Sequence, residues 1–180
     1  MFTFKNLSTK SVGEVAPGNL IYVLGEQGPQ FAMRIEHPSD APNGPTYAAA
    51  LIFRYEISGK TLPVIDAGCA PYPCIDCGVH PELVWDPPLE LLTAGASPDV
   101  GHVLLSGKEA GISSSYGPGG YGRRQYWNPY TGKAIDPRPS PPVRTAIIVK
   151  WRLGAIDLNG DFRQLIAFPD DYGKWTATEG

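Results

Sequence analysis

This chain lacks the runs that would cross a membrane as a helix or build long helices of any kind. No apolar stretch approaches the roughly 18 residues of a spanning helix. The 21 glycines and 19 prolines are spread over all 180 residues, and they cut the apolar segments into pieces too short for ordinary helices. The first fifteen residues, MFTFKNLSTKSVGEV, lack the basic start, apolar centre and small-residue cleavage site of a secretory leader. The expectation is a soluble, cytoplasmic protein with reduced thiols. No repeat of fixed period is present. What remains is 42% hydrophobic and 11% aromatic, a composition that excludes a disordered chain. Its length fits a single β-rich domain over residues 1–180 with large loops.

The short apolar segments alternate with the period of strands. In LIYVLGEQGPQFAMRI, Phe31, Met33 and Ile35 alternate with Ala32, Arg34 and Glu36, which predicts a hairpin of 19–24 with 30–37. Leu51, Phe53, Tyr55 and Ile57 share one face of the next strand, which turns at Gly59-Lys60 into TLPVIDA. Near the C-terminus Asn159-Gly160 separates two strand-like runs, and its tolerance of positive φ predicts a type I′ hairpin. Ile147, Val149, Trp151 and Leu153 are the expected buried face there, with Lys150 and Arg152 in solvent. Helix is limited to short turns over 8–14, capped by Ser8 or Thr9, and over 88–94, stopped by Gly95. The predicted fold is mostly β, an antiparallel barrel or sandwich with one or two helical turns and long irregular loops at about 67–100 and 107–142.

Loops that long are functional, disordered, or hide further elements. One hidden element is RRQYWNPYTGKAI, residues 123–135, whose strand-like ends flank an Asn-Pro-Tyr-Thr-Gly turn. That turn resembles the first hairpin of WW domains. Ile135 or Asp136 stands where the family has a second tryptophan, so the likeness implies no function.

Charge is segregated within a net of −3. Residues 36–99 carry nine acids against two bases, and residues 101–152 carry eight bases against two acids. Either the two segments neutralise each other, or the basic one presents a positive face to an anionic partner. The second reading draws on residues 113–130, where Tyr116, Tyr121, Tyr126, Trp127 and Tyr130 are interleaved with Arg123 and Arg124. Tyrosine, tryptophan and arginine are favoured anchors of protein interfaces, and the same types stack on bases and hold phosphates of single strands. A pI near 5.6 turns the expectation toward a protein partner or a second copy of the chain, with no membrane and nucleic acid as the lesser reading.

Catalytic signatures are missing. Gly117, Gly119, Gly120 and Gly122 fit no phosphate-binding frame. Asp157, Asn159 and Asp161 start like a calcium loop, but Phe162 and Phe168 stand where glycine and a bidentate glutamate are required. Ser113, Ser114 and Ser115 lack a G-x-S-x-G frame, and nothing local pairs them with His37, His80 or His102. An enzyme of unknown class keeps no named residue, and the expectation leans away from catalysis.

All three cysteines and one histidine lie in CAPYPCIDCGVH, residues 69–80. Cys74 and Cys77 have the C-x-x-C-G form that resembles a zinc or rubredoxin knuckle, with Cys69 and His80 available to complete a tetrahedral zinc site. His37 or His102 could substitute through space, but Pro71 and Pro73 restrict how that loop folds back, so a disulfide or redox-active pair and inert buried thiols stand beside the zinc reading. The leading expectation is a non-catalytic binding or assembly module that uses the aromatic and arginine loop, and the alternative is a zinc-stabilised domain.

Overall fold

The computed structural model describes residues 7–25, 28–38, 45–57, 60–85, 90–91, 99–116, 124–135, 145–157 and 159–169, with backbone alone at 25, 55–57, 60, 61, 90, 91 and 116. Fourteen strands and one 3₁₀ turn, Val12–Glu14, account for most of them. In chain order the strands are β1 (Ser8–Ser11), β2 (Leu20–Gly25), β3 (Gly28–Pro38), β4 (Thr46–Ile57), β5 (Lys60–Asp66), β6 (Pro73–Asp76) and β7 (Glu82–Trp85). They continue with β8 (Glu90–Leu91), β9 (Val103–Ser106), β10 (Glu109–Tyr116), β11 (Gln125–Trp127), β12 (Thr145–Ile148), β13 (Trp151–Ile156) and β14 (Phe162–Phe168). Among the described residues no helix is long and apolar enough to cross a membrane.

The strands form two sheets, and the fold is sandwich-like rather than a closed barrel. The larger sheet runs β1-β6-β2-β3-β4-β5-β10-β9-β12-β8, with β11 paired to β10, and the smaller runs β14-β13-β7. Every ladder is antiparallel except β5–β10. The large sheet stays open between β1 and β8, although one isolated bridge, Glu36 to Lys133, ties the hairpin after β11 back to β3.

Both faces of the central strands are apolar, and this sets the layering. Leu20, Met33, Ile35, Leu51 and Phe53 point to one side, where Leu83, Trp151, Leu153 and Ile166 of the smaller sheet close the main core. Their strand neighbours Ile21, Val23, Ala32, Ala50 and Ile52 point to the other, under Val12, Val15, Cys69 and Cys74. Alternation sends successive side chains to opposite faces, so a strand reading Leu-Ile-Tyr-Val-Leu needs cover on two sides. Burying each large aliphatic group contributes roughly 1.5–3 kcal/mol.

The expected hairpins β2–β3, β4–β5 and β13–β14 are present as antiparallel pairs. The last closes differently from a two-residue type I′ turn. Asp157 N–H donates to the Asp161 carbonyl across three residues, Gly160 has φ +89°, and the Asp157 carboxylate accepts the N–H groups of Asn159 and Asp161. The Asn-Pro-Tyr-Thr-Gly hairpin is present, with Trp127 bridged to Ala134 and Ile135 N–H bonded to the Tyr126 carbonyl.

Four expectations are corrected. Residues 8–11 are strand β1, and the helical turn is confined to 12–14, because Ser11 N–H and Oγ–H both donate to Glu14 at 2.8 Å and so start it later. Of the helix expected over 88–94, Glu90–Leu91 instead pair with β12, and the rest lies outside the described residues. The long loops contain β6, β7, β8, β10 and β11. Finally, 145–156 is not one strand: the chain bends at Val149-Lys150 and changes sheets, so Ile148, not Ile147 or Val149, is buried beside Trp151 and Leu153.

The two sheets are locked at Gly101. Its carbonyl accepts the Trp151 indole N–H at 2.6 Å, and Phe168 stacks on Trp151 with centroids 5.6 Å apart. Gly101 has φ +93°, and a Cβ there would collide with the Phe168 ring. Gly101→Ala is expected to destabilise by about 1–3 kcal/mol from backbone strain, with the ring collision adding to it. Gly160→Ala, at φ +89° in open space, should cost clearly less in urea unfolding; equal losses would remove the packing role of Gly101.

Candidate functional site

The cysteine loop is built into both cores rather than gathered around one point. Asp66 turns the chain by accepting Gly68 N–H at 3.0 Å, and Cys69 Sγ–H donates to the Asp66 carbonyl at 3.1 Å. Beyond it, β6 lies between β1 and β2. Positions three apart on an extended strand face opposite ways, and the C-x-x-C pair follows that rule. Cys74 joins Cys69 in the smaller core, whereas Cys77 enters the main core. His80 is exposed, and its Nδ1 would stand 3.0 Å from a Cβ on Gly18, beside the Tyr130 carbonyl. Among the described residues no three His, Cys, Asp or Glu side chains converge, so Cys69, Cys74, Cys77 and His80 are not brought together. Burial, reinforced by the charges of Asp66 and Asp76 respectively, pushes the Cys69 and Cys77 thiols up to about 12. Burial also raises Cys74.

Beside this loop sits a buried carboxylate. Asp76 pairs with Lys10 at 2.7 Å, accepts Asn19 Nδ2–H at 3.1 Å and accepts Gly78 N–H at 2.9 Å. Burial alone would raise its carboxyl, but these three donors outweigh it and hold the group below its ordinary 3.8. The cluster clamps β1 and the start of β2 onto β6.

The aromatic and arginine loop divides between core and surface. Trp127 is fully buried and donates its indole N–H to Ser114 Oγ at 2.9 Å, and Tyr126 is buried with Leu104 and Ile135. Arg124 pairs with Asp99 at 3.4 Å, an exposed contact between the basic and acidic segments. Tyr130 is exposed on a turn fixed by Asn128, whose side chain accepts the N–H groups of Tyr130 and Thr131. Tyr121, Arg123 and the Tyr116 side chain lie outside the described residues. His37 is buried 5.9 Å from the Trp127 ring, and Ser113, Ser114 and Ser115 are buried in β10. The triple serine is therefore interior strand.

A further exposed feature among the described residues is one that sequence reasoning missed. Tyr22 pairs with Phe31 and with Ile75, Ile75 with Thr9, and Leu24 with Pro29. Leu20 and Met33, which pair one step along the same face, belong to the main core. Alternation thus places Thr9, Ile75, Tyr22, Leu24, Pro29 and Phe31 on the core-side face, where Phe31 still packs against the main core. Leu24 is 60% exposed, Tyr22 38% and Ile75 37%, while Phe31 is half-buried and meets Tyr22 edge-on at 5.1 Å. The only sequence signal was a β2 segment apolar at every position from Leu20 to Leu24.

Comparison with protein-family models, with curated proteins and with solved structures finds no match to this chain. The functional reading rests on this geometry.

Two outcomes follow. Ellman's reagent at pH 8 should find no reactive thiol in the native protein and three in denaturant; rapid native reaction at Cys74 or Cys77 would contradict their burial. For Asp76, a folded pKa below the unfolded one means stabilisation that is complete above 3.8 and lost as pH falls through the lower folded value. Asp76→Asn should lower the melting temperature at pH 7 and abolish that acid-side component; an unchanged acid profile would remove the clamp.

Proposed function

We propose that this protein is a non-catalytic binding or assembly module that docks protein surface through the uncharged face of β6, β2 and β3. One observation carries the reading: three large apolar side chains, Leu24, Tyr22 and Ile75, are exposed on the same face of adjacent strands. Scattered single apolar residues are ordinary on any protein, and it is the grouping of these three that supports a contact surface. Flanking Thr9, Pro29 and Phe31 add no charge. Interface centres are depleted in charge and enriched in aromatics, and this face has that character. High thiol pKa values at Cys69 and Cys77 weigh on the same side, since thiols in that state are poor nucleophiles.

This reading moves the contact surface away from residues 113–130. Two of the expected anchors, Tyr126 and Trp127, are used inside the fold, and interior side chains contribute stability rather than contact. Tyr130 keeps its exposed position on the neighbouring hairpin.

The test needs no knowledge of the partner. Leu24→Glu should leave stability within about 0.5 kcal/mol, as at other exposed sites, yet reduce the fluorescence of bis-ANS bound to the native protein several-fold. Unchanged dye binding in Leu24→Glu, or a stability loss of core size, would overturn the docking reading.

A further inference from the structure

Three asparagines lie among the described residues, Asn19, Asn128 and Asn159, and the fold treats them differently. The Asn19 carboxamide donates to Asp76 at 3.1 Å, and the next backbone nitrogen, that of buried Leu20, donates to the Val79 carbonyl at 2.7 Å. Asn128 accepts the N–H groups of Tyr130 and Thr131 through its side-chain oxygen, and Pro129 follows it with no N–H at all. Asn159 is exposed, its carboxamide has no hydrogen-bond partner among the described residues, and Gly160 follows it. A Cβ on Gly160 would meet nothing within 4 Å.

We propose that Asn159 is a site of spontaneous covalent modification, closing through the Gly160 nitrogen to a succinimide that water opens to aspartate or isoaspartate. In the first step the Gly160 amide loses its proton to solvent base and its nitrogen bonds to the Asn159 side-chain carbonyl carbon. The carboxamide nitrogen takes up a proton and leaves as ammonia. Water then adds to one of the two ring carbonyls. Breaking the bond from Gly160 nitrogen to the side-chain carbon gives aspartate, and breaking its bond to the backbone carbon gives isoaspartate. No electron transfer is involved, and water is the only co-reactant. Glycine permits the approach because no Cβ crowds the attacking nitrogen, and having both groups in one chain makes the step unimolecular. One contact opposes it. Gly160 N–H donates to the Asp157 carbonyl at 3.1 Å, so the folded turn retards proton loss by about two- to tenfold, the worth of one ordinary backbone hydrogen bond.

The two products differ in what they do to the fold. Aspartate adds only a carboxylate between Asp157 and Asp161, which Arg163 already bridges at 2.7 and 3.4 Å. Isoaspartate lengthens the backbone by one carbon inside the turn that Asp157 N–H closes onto the Asp161 carbonyl at 2.9 Å. The adjoining ladder pair is Ile156 with Phe162, so the longer turn loosens the β13–β14 hairpin from its closed end.

The test ages the full chain at pH 8, native and in urea, and reads the tryptic peptide 153–163 by mass spectrometry with isoaspartyl methyltransferase labelling. That peptide separates Asn159 from Asn43-Gly44, which lies outside the described residues. The native protein should gain the mass of an Asn-to-Asp exchange and isoaspartate at 159, about two- to tenfold more slowly than the denatured one, while Asn19 and Asn128 stay intact. Retardation at Asn159 far beyond tenfold, or native conversion of Asn19 or Asn128 at the same rate, overturns the assignment. Asn159→Asp carries the charge without the added carbon and should melt at a higher temperature than the chromatographically separated isoaspartyl protein. Equal melting overturns the loosening of the hairpin.

Discussion

The constraint on which this structure depends is the double-sided hydrophobicity of its central strands. Leu20 and Ile21, Ala32 and Met33, Leu51 and Ile52 are consecutive residues that are all buried, so the sheet they form is stable only if something covers each face. One cover is the smaller sheet, whose Trp151, Leu153 and Ile166 fill the main core. The other is the 3₁₀ turn and cysteine loop, which contribute Val12, Val15, Cys69 and Cys74. Much of the remaining architecture serves those covers. Gly101 admits Phe168 and accepts Trp151, and Asp76 pins β1 and β2 to β6. Among the described residues, β6 and β2 keep exposed apolar side chains at Ile75, Tyr22 and Leu24.

That account also explains the cysteines. Three thiols within nine residues suggested a knuckle, but β6 is extended, and extension separates Cys74 from Cys77 across the sheet. The cysteine serves here as a small apolar residue in two different layers. The same logic governs Ser113, Ser114 and Ser115, which a loop would have exposed. Because β10 is flanked by β5, β9 and β11, all three are interior, and Ser114 meets the Trp127 indole.

The sequence revealed those parts of the fold that depend on local rules. Alternation at Phe31, Met33 and Ile35 located β3, Asn159-Gly160 located the β13–β14 connection, and Asn128 to Gly132 located a hairpin inside an apparent loop. It concealed what depends on distant partners. The parallel pairing of β5 with β10 joins residues about fifty positions apart in the chain, and the bend at Val149-Lys150 leaves the polar and apolar pattern looking continuous. The candidate site was hidden for the same reason. Tyr22 and Leu24 belong to a strand whose every other large residue is buried, and the alternation within it gives no sign of which positions stay in solvent.

Hydroxyl-radical footprinting read by mass spectrometry tests this account most directly, because it measures side-chain cover residue by residue. Tyr22, Leu24 and Ile75 should label readily while Tyr126, Trp127 and Trp151 stay protected. Strong labelling of Trp127 or Trp151, or protection of Tyr22 and Leu24 in the dilute protein, would contradict the claim that cover ends at this face.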